Sequence, residues 1–311
     1  MANLTKNGYF FELIQVSCAV SLHGNLYVYS LAALNVLLSI TASVGNILIL
    51  VALRKETSLH PASKLLFRCL TATDLCVGVL SQPMFVVQLI SIAQQHQQLC
   101  YTTVSLNDVV GKSLGGVSLC TLAAISVDRL LALSLGLRYR QTVTSRRVLG
   151  LVTFIWILNI SICSLNRFLN HVIFSVVISF MIYSLLGVSA FCYVKIFLRL
   201  RHHQAEVQGN ALQGQPNRRG IPLNIARYRK TVSTALWVQL ALVACYLPYG
   251  IVGIMSYPYF PSHNLGIRLT LTLVLLNSSL NPFLYCWKIR GVRQAVKDII
   301  GQFCRFSCCT P

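Results

Sequence analysis

LYVYSLAALNVLLSITASVGNILILVAL, residues Leu26 to Leu53, contains no charged side chain. As a helix it rises about 1.5 Å per residue and exceeds the roughly 30 Å of a bilayer's hydrocarbon core. There a backbone finds no water, so its N–H and C=O groups must pair within the helix. The stretch is therefore a membrane span, and six more follow it. Leu70 to Ile90 carries only Asp74. Thr102 to Leu133 is interrupted by Asp108, Lys112, Asp128 and Arg129. Val148 to Asn166, Val172 to Val194, Thr231 to Met255 and Leu269 to Trp287 are uncharged. Only about Leu165 to His171 separates the fourth from the fifth. Of the 311 residues 55% are hydrophobic and 11% charged, and the mean hydropathy is +0.65, which excludes a water-soluble globule. The fold expected is an all-α membrane protein, a seven-transmembrane helix bundle.

The 26 basic and 7 acidic residues give a net charge of +19, a balance that in a soluble chain would suggest nucleic acid. Here the basic residues lie between apolar runs, so nucleic-acid binding is excluded. Basic loops resist translocation. With the N-terminus outside, all but four basic residues fall on the cytoplasmic side, the exceptions being Lys6, Arg167, Arg268 and the intramembrane Lys112. The expectation is a multi-pass plasma-membrane protein with a tail at 1–25 outside, the bundle at 26–290, and an amphipathic helix with a cytoplasmic tail at 291–311. No charged stretch with a short apolar run and cleavage site precedes the first span, which is expected to serve as its own targeting signal. The sequon Asn3-Leu4-Thr5 makes Asn3 a glycosylation candidate.

Ionisable groups inside lipid are costly and call for a partner or a hydrated cavity. Asp74 reads either as an anchor between helices or as the centre of a cavity that binds a cation or changes protonation. Asn277, Asn281 and Tyr285 recur every four residues on one face of the seventh span, with Ser278 beside them. Ser118 and Arg129 are eleven residues apart on the third span, nearly the same face about 16 Å along the axis. Pro248 and Pro282 each remove a backbone donor and predict kinks in the sixth and seventh spans.

In order along the chain, Gly45-Asn46, Leu70 through Asp74, Asp128-Arg129, Trp156, Tyr193, Cys245-Tyr246-Leu247-Pro248 and Asn281-Pro282-Phe283-Leu284-Tyr285 resemble the rhodopsin-like, class A, G protein-coupled receptors. That resemblance implies a receptor passing extracellular ligand binding to a heterotrimeric G protein. It places Asp74, Ser118, Asn277, Ser278 and Asn281 around an allosteric sodium ion, with no other metal or cofactor. It assigns the activation switch to Asp128, Arg129, Tyr193, Tyr246, Pro248, Asn281, Pro282 and Tyr285, Arg129 swinging from Asp128 toward Tyr193 and Tyr285 as the sixth helix moves outward. Arg129 and Leu137 become the G-protein contacts.

The sequence also departs from the family. Leu130 follows Asp128-Arg129 where the family has tyrosine, Tyr246 replaces a tryptophan, Gly136 an inner-loop proline, and the fifth-span proline is missing near Leu185. Tyr228 stands where an acid often pairs with the arginine, which predicts appreciable basal signalling. Cys100 lies four residues earlier than the family spacing places its bridging cysteine, and the short second outer loop has none, so Cys18 and Cys163 are both candidate partners. These features are similar to the melanocortin, cannabinoid and adenosine receptor group.

After the last span Val292, Ala295, Val296, Ile299, Ile300 and Phe303 recur at helical spacing opposite Arg293, Gln294, Lys297, Asp298 and Gln302, the pattern of a short amphipathic eighth helix in the interface. Cys304, Cys308 and Cys309 follow as acylation candidates. The third inner loop, roughly Arg201 to Asn224, is polar and contains Gly209, Gly214, Pro216 and Gly220, which predicts a flexible segment. Its basic ends suit anionic membrane lipids or an acidic partner.

The ligand is unknown. Gly111 occupies the third-span position where amine receptors of the family carry aspartate, which argues against a monoamine. Asp108, Gly111 and Lys112 are the pocket candidates; Lys112 either pairs with Asp108 four residues earlier or binds an acidic ligand group. No lysine lies between Thr231 and Trp287, which excludes a retinal Schiff base there. Nothing enzymatic stands out. Two other classes remain: a receptor-like protein that binds ligand or dimerises without coupling, and a transporter, which would more often carry repeat symmetry or discontinuous helices.

Overall fold

The computed structural model describes residue 18 and residues 25–57, 59–165, 171–212, 239–255, 264–288 and 290–308. Asn3, Tyr228 and Cys309 lie outside that set, as do the side chains of Cys304 and Cys308 and the short connection between the fourth and fifth spans. The described chain is almost wholly helical, and six helices are long and apolar enough to cross a membrane. They are Asn25–Lys55, the continuous rod Pro61–Ala93, Gln97–Leu135, Ser145–Leu165, His171–Leu212 and Asn264–Lys288. A shorter apolar helix, Gln239–Met255, is the described part of the sixth span. Solvent-soluble packing is inverted: Phe180, Ile157 and Leu37 are exposed, whereas Asn35, Asn46, Asp74 and Gln82 are fully buried. Lipid accepts apolar side chains readily, so the polar groups gather where helices can satisfy them.

Two local defects in the helices are repaired by the first span. In the second span Val77–Ser81 is a π turn just ahead of Pro83, which has no N–H to continue the regular ladder. Gln82 N–H reaches back to Val77 O rather than Gly78 O, and Ser39 Oγ donates to the freed Gly78 carbonyl at 2.7 Å. A Cβ on Gly78 would stand 2.9 Å from Ala42 Cβ and 2.8 Å from Ser43 Oγ, so only glycine allows this approach. In the seventh span Pro282 leaves Ser278 O without its helical donor, and Asn46 Nδ2 donates to it at 3.1 Å. Gly45 leaves room for the Pro282 ring, whose Cγ would be 2.8 Å from an added Cβ.

The third span ends at Gly136, with φ 51° and ψ −117°. A side chain is strained there, which gives a physical reason for glycine at a position the family fills with proline. The reversal folds Tyr139 back against the second span, where it is buried. Leu130, the other departure, packs with Leu133 on Tyr193, Ile196 and Leu200 of the fifth span.

One expectation needs correction, and one open choice closes. Residues from Arg201 to Leu212 are not loop but the continuation of the fifth helix; this stretch has one glycine and no proline before Pro216, so helix propensity carries it onward. Among the three candidate cysteines, Cys18 and Cys100 form the disulfide, and Cys163 is a buried free thiol in the fourth span. The bridge ties the N-terminal tail to the start of the third span beside Ile92. The amphipathic helix spans Arg290–Cys308, burying Val292 and Ile299 and exposing Ile300. Its first turn meets the buried Glu56, whose carboxylate occupies the place a Cβ on Gly291 would take. That position suits an anion, because helix N-termini carry partial positive charge.

Candidate functional site

At mid-bundle the second, third and seventh spans converge on Asp74, which is fully buried. Ser118 Oγ and Ser278 Oγ donate to its Oδ1 at 3.2 and 2.8 Å, and Asn281 Nδ2 donates to Oδ2 at 2.6 Å. Three neutral donors from two other helices stabilise the carboxylate. Asn277, the fifth residue assigned to this pocket, is buried too, and its Nδ2 has no hydrogen-bond partner among the described residues. The hydroxyl oxygens of Ser118 and Ser278 together with Asp74 form a hard-oxygen set of the kind a sodium ion accepts. No cluster of three His, Cys, Asp or Glu side chains exists among the described residues. Above the carboxylate Tyr246 is buried and its hydroxyl donates to the Gly115 carbonyl at 3.3 Å, linking the sixth span to the third.

Toward the C-terminal end of the third span lies the second polar centre. Arg129 Nη2 donates to Asp128 Oδ2 at 2.8 Å, an ion pair between neighbours. Asp128 accepts two further hydrogen bonds, from Tyr139 OH to Oδ1 at 2.5 Å and from Ser63 Oγ to Oδ2 at 2.9 Å. Sequence reasoning missed both donors. Ser63 is the third residue of its helix and carries no local signal, and Tyr139 arrives only because the chain reverses at Gly136. The Arg129 guanidinium lies 5.6 Å from the Phe67 ring centroid, and Phe67 makes an edge contact with Tyr285, centroids 5.3 Å apart. Phe67 thus touches both Arg129 and Tyr285. Arg129 Nε and Tyr285 OH have no partner among the described residues. A small cavity lies alongside, lined in part by Phe67, Tyr193, Asn281 and Tyr285. Leu137 is almost fully exposed, at 97%.

At the Cys100 end, Lys112 and Asp108 form an ion pair one turn apart, and Lys112 Nζ also lies 4.9 Å from the Phe174 ring centroid on the fifth span. Gly111 serves packing: a Cβ there would fall on Asn107 Oδ1 and on Ser81 Oγ, which hydrogen-bond each other at 2.9 Å. Pro248 lies within the described sixth-span helix and Pro282 within the seventh.

Comparison with known proteins meets this geometry. The chain is 26% identical over 299 residues to the adenosine receptor A2a of Canis lupus familiaris, an alignment that covers 85% of this chain and 70% of the relative. Residues 45–172 and 163–285 match the family described as 7 transmembrane receptor (rhodopsin family), and so take in Asp74, Asp128-Arg129 and Asn281 through Tyr285. With most of its length matched and its buried polar residues converging as a membrane bundle requires, the chain belongs to the rhodopsin family of seven-transmembrane receptors, and is a G protein-coupled receptor rather than an enzyme.

Proposed function

We propose that the receptor sits in the plasma membrane with its N-terminus outside, binds a ligand near Asp108, Gly111 and Lys112, and opens its Arg129 end to a heterotrimeric G protein. The observation that carries this reading is the way Asp128 is held. A carboxylate with one partner would be stranded, buried and uncompensated, if Arg129 left it. Here Tyr139 and Ser63 also donate to it, so Arg129 can leave at reduced cost. Its destinations are Tyr193 and Tyr285, reached once Phe67 moves aside and the sixth helix, hinged near Pro248, swings outward. Tyr246 and the Asn281-Pro282 turn carry the motion between the two polar centres. Leu137, apolar and exposed, supplies a docking side chain beside the opening.

Asp74, Ser118, Ser278 and Asn281, with Asn277 nearby, are the residues that would hold a sodium ion; the ion would supply positive charge that favours the ionised carboxylate. At the ligand end the charges of Asp108 and Lys112 balance locally, which disfavours a simple monoamine and suits a neutral or mixed-charge ligand. Adenosine, the compound in the relative's name, is a first probe. Asn3 is the glycosylation candidate, Cys304, Cys308 and Cys309 the acylation candidates, and the basic Arg129 side the surface that faces anionic lipid.

The test is nucleotide exchange on purified G proteins from the main classes, with wild-type receptor and with Arg129→Ala at matched surface expression. Exchange above receptor-free background that falls by at least tenfold in the variant is expected. No receptor-dependent exchange under any ligand condition, or exchange indifferent to Arg129, overturns the coupling mechanism.

A further inference from the structure

Ser126 on the third span, Ser189 on the fifth and Gln239 on the sixth meet in a chain of hydrogen bonds. Ser126 Oγ lies 2.8 Å from Ser189 Oγ, and Ser189 Oγ donates to Gln239 Oε1 at 2.9 Å. All three residues are buried, with exposures of 1%, 0% and 9%. A hydroxyl has one proton, so while Ser189 gives its own to the amide, its bond with Ser126 needs the proton of Ser126. Ser126 can instead return its proton to the Leu122 carbonyl at 2.9 Å within its own helix.

A glutamine amide on a membrane helix is costly without partners, and nothing in the Asp74 centre or the Asp128 centre uses this one. Gln239 lines the same cavity as Tyr193, Asn281 and Tyr285, and its Nε2 has no partner among the described residues. The amide therefore sits at the seam that an outward-moving sixth helix must open. We propose that Ser126, Ser189 and Gln239 form a three-helix clamp that positions the sixth helix against the third and fifth in the resting receptor. In the sequence Tyr228 stands where the family often has an acid that pairs with the arginine, and the clamp is a restraint of another kind. The clamp is separate from the Asp128–Arg129 pair and acts through Ser189 as a shared link. It rests on the outward movement of the sixth helix given under Proposed function.

Side-chain hydrogen bonds between membrane helices are modest, so breaking the Ser189–Gln239 bond should raise the open population by about threefold at average strength and about twentyfold at the strongest. The experiment uses the full chain in lipid nanodiscs and compares wild type, Gln239→Leu, Ser189→Ala and the double variant. Amide hydrogen exchange over residues 239–255 is expected to quicken by that factor in each single variant. The double variant should be no faster than the faster single, because Ser189→Ala already removes the bond that Gln239→Leu breaks. Basal nucleotide exchange on added G protein should rise in parallel. If Gln239→Leu fails to fold, Ser189→Ala and Ser126→Ala, each the loss of one oxygen, carry the same comparison. Unchanged or slower hydrogen exchange in the folded variants, or independent effects that multiply in the double, overturns the clamp. Faster hydrogen exchange with no G protein response in any sample supports the clamp and counts against the coupling reading instead.

Discussion

Asn46 and Pro282 should be energetically coupled across the interface of the first and seventh spans. Pro282 denies the Ser278 carbonyl its helical donor, and Asn46 Nδ2 replaces it at 3.1 Å while also bonding Ala42 O at 2.8 Å. Asn46→Leu, nearly equal in size, leaves the Ser278 carbonyl buried without a donor. A buried unsatisfied group costs about 1–3 kcal/mol in soluble proteins. Hydrogen bonds between membrane helices average about 0.6 kcal/mol with a maximum of about 1.7. About 1 kcal/mol is therefore the expected worth of this bond. The single variant understates it, because Asn46 Oδ1 has no partner among the described residues and leucine removes that orphan. Pro282→Ala supplies a backbone N–H to Ser278 O and withdraws the ring from Gly45. In that background Asn46→Leu should cost about 1 kcal/mol less than in the wild type. The assay is detergent unfolding of purified receptor, all four members of the cycle measured together. Equal costs in the two backgrounds, within about 0.3 kcal/mol, would refute the claim that Asn46 stands in for the missing N–H.

Gly136→Ala should lower the unfolding free energy by about 1 kcal/mol or more from backbone strain alone, since an added Cβ meets nothing within 4 Å. Gly150→Ala, equally unobstructed but mid-helix, should be neutral or stabilising in the same assay, and similar losses at both would count against the strain argument. Cys18→Ser and Cys100→Ser should each remove about 2–4 kcal/mol of stability and the double variant no more, while Cys163→Ser leaves the Cys18–Cys100 bridge intact in a non-reducing mass map. Sodium chloride, compared with choline chloride, should raise the thermal midpoint of ligand-free receptor, and Asp74→Asn should abolish that difference; a midpoint equally sensitive in the variant would sink the sodium assignment.

Membrane residence, the positions of the spans and the Asp74 centre were legible in one dimension, because lipid imposes its demand residue by residue. A charge in an apolar run costs free energy wherever the chain goes, so Asp74 and the seventh-span row of Asn281 and Tyr285 announce themselves before folding. The donors that complete the sites do not. Ser63 and Tyr139 reach Asp128, and Ser39 reaches Gly78, through contacts between segments whose sequence spacing carries no periodic signal. Serines on membrane helices often bond back to their own carbonyls, as Ser91 does to Val87, so composition does not separate a linking serine from a locally satisfied one.

The fifth helix outran its predicted end for the opposite reason: polarity there signals departure from lipid, not departure from helix. The disulfide was open between Cys18 and Cys163 until three-dimensional proximity selected Cys18. The sequence by itself determined which segments enter the membrane and which buried charges need company, since transfer from water to hydrocarbon is a property of each residue. Only the tertiary structure decided which side chains provide that company, because a hydrogen bond depends on ångström distances between helices that are far apart along the chain.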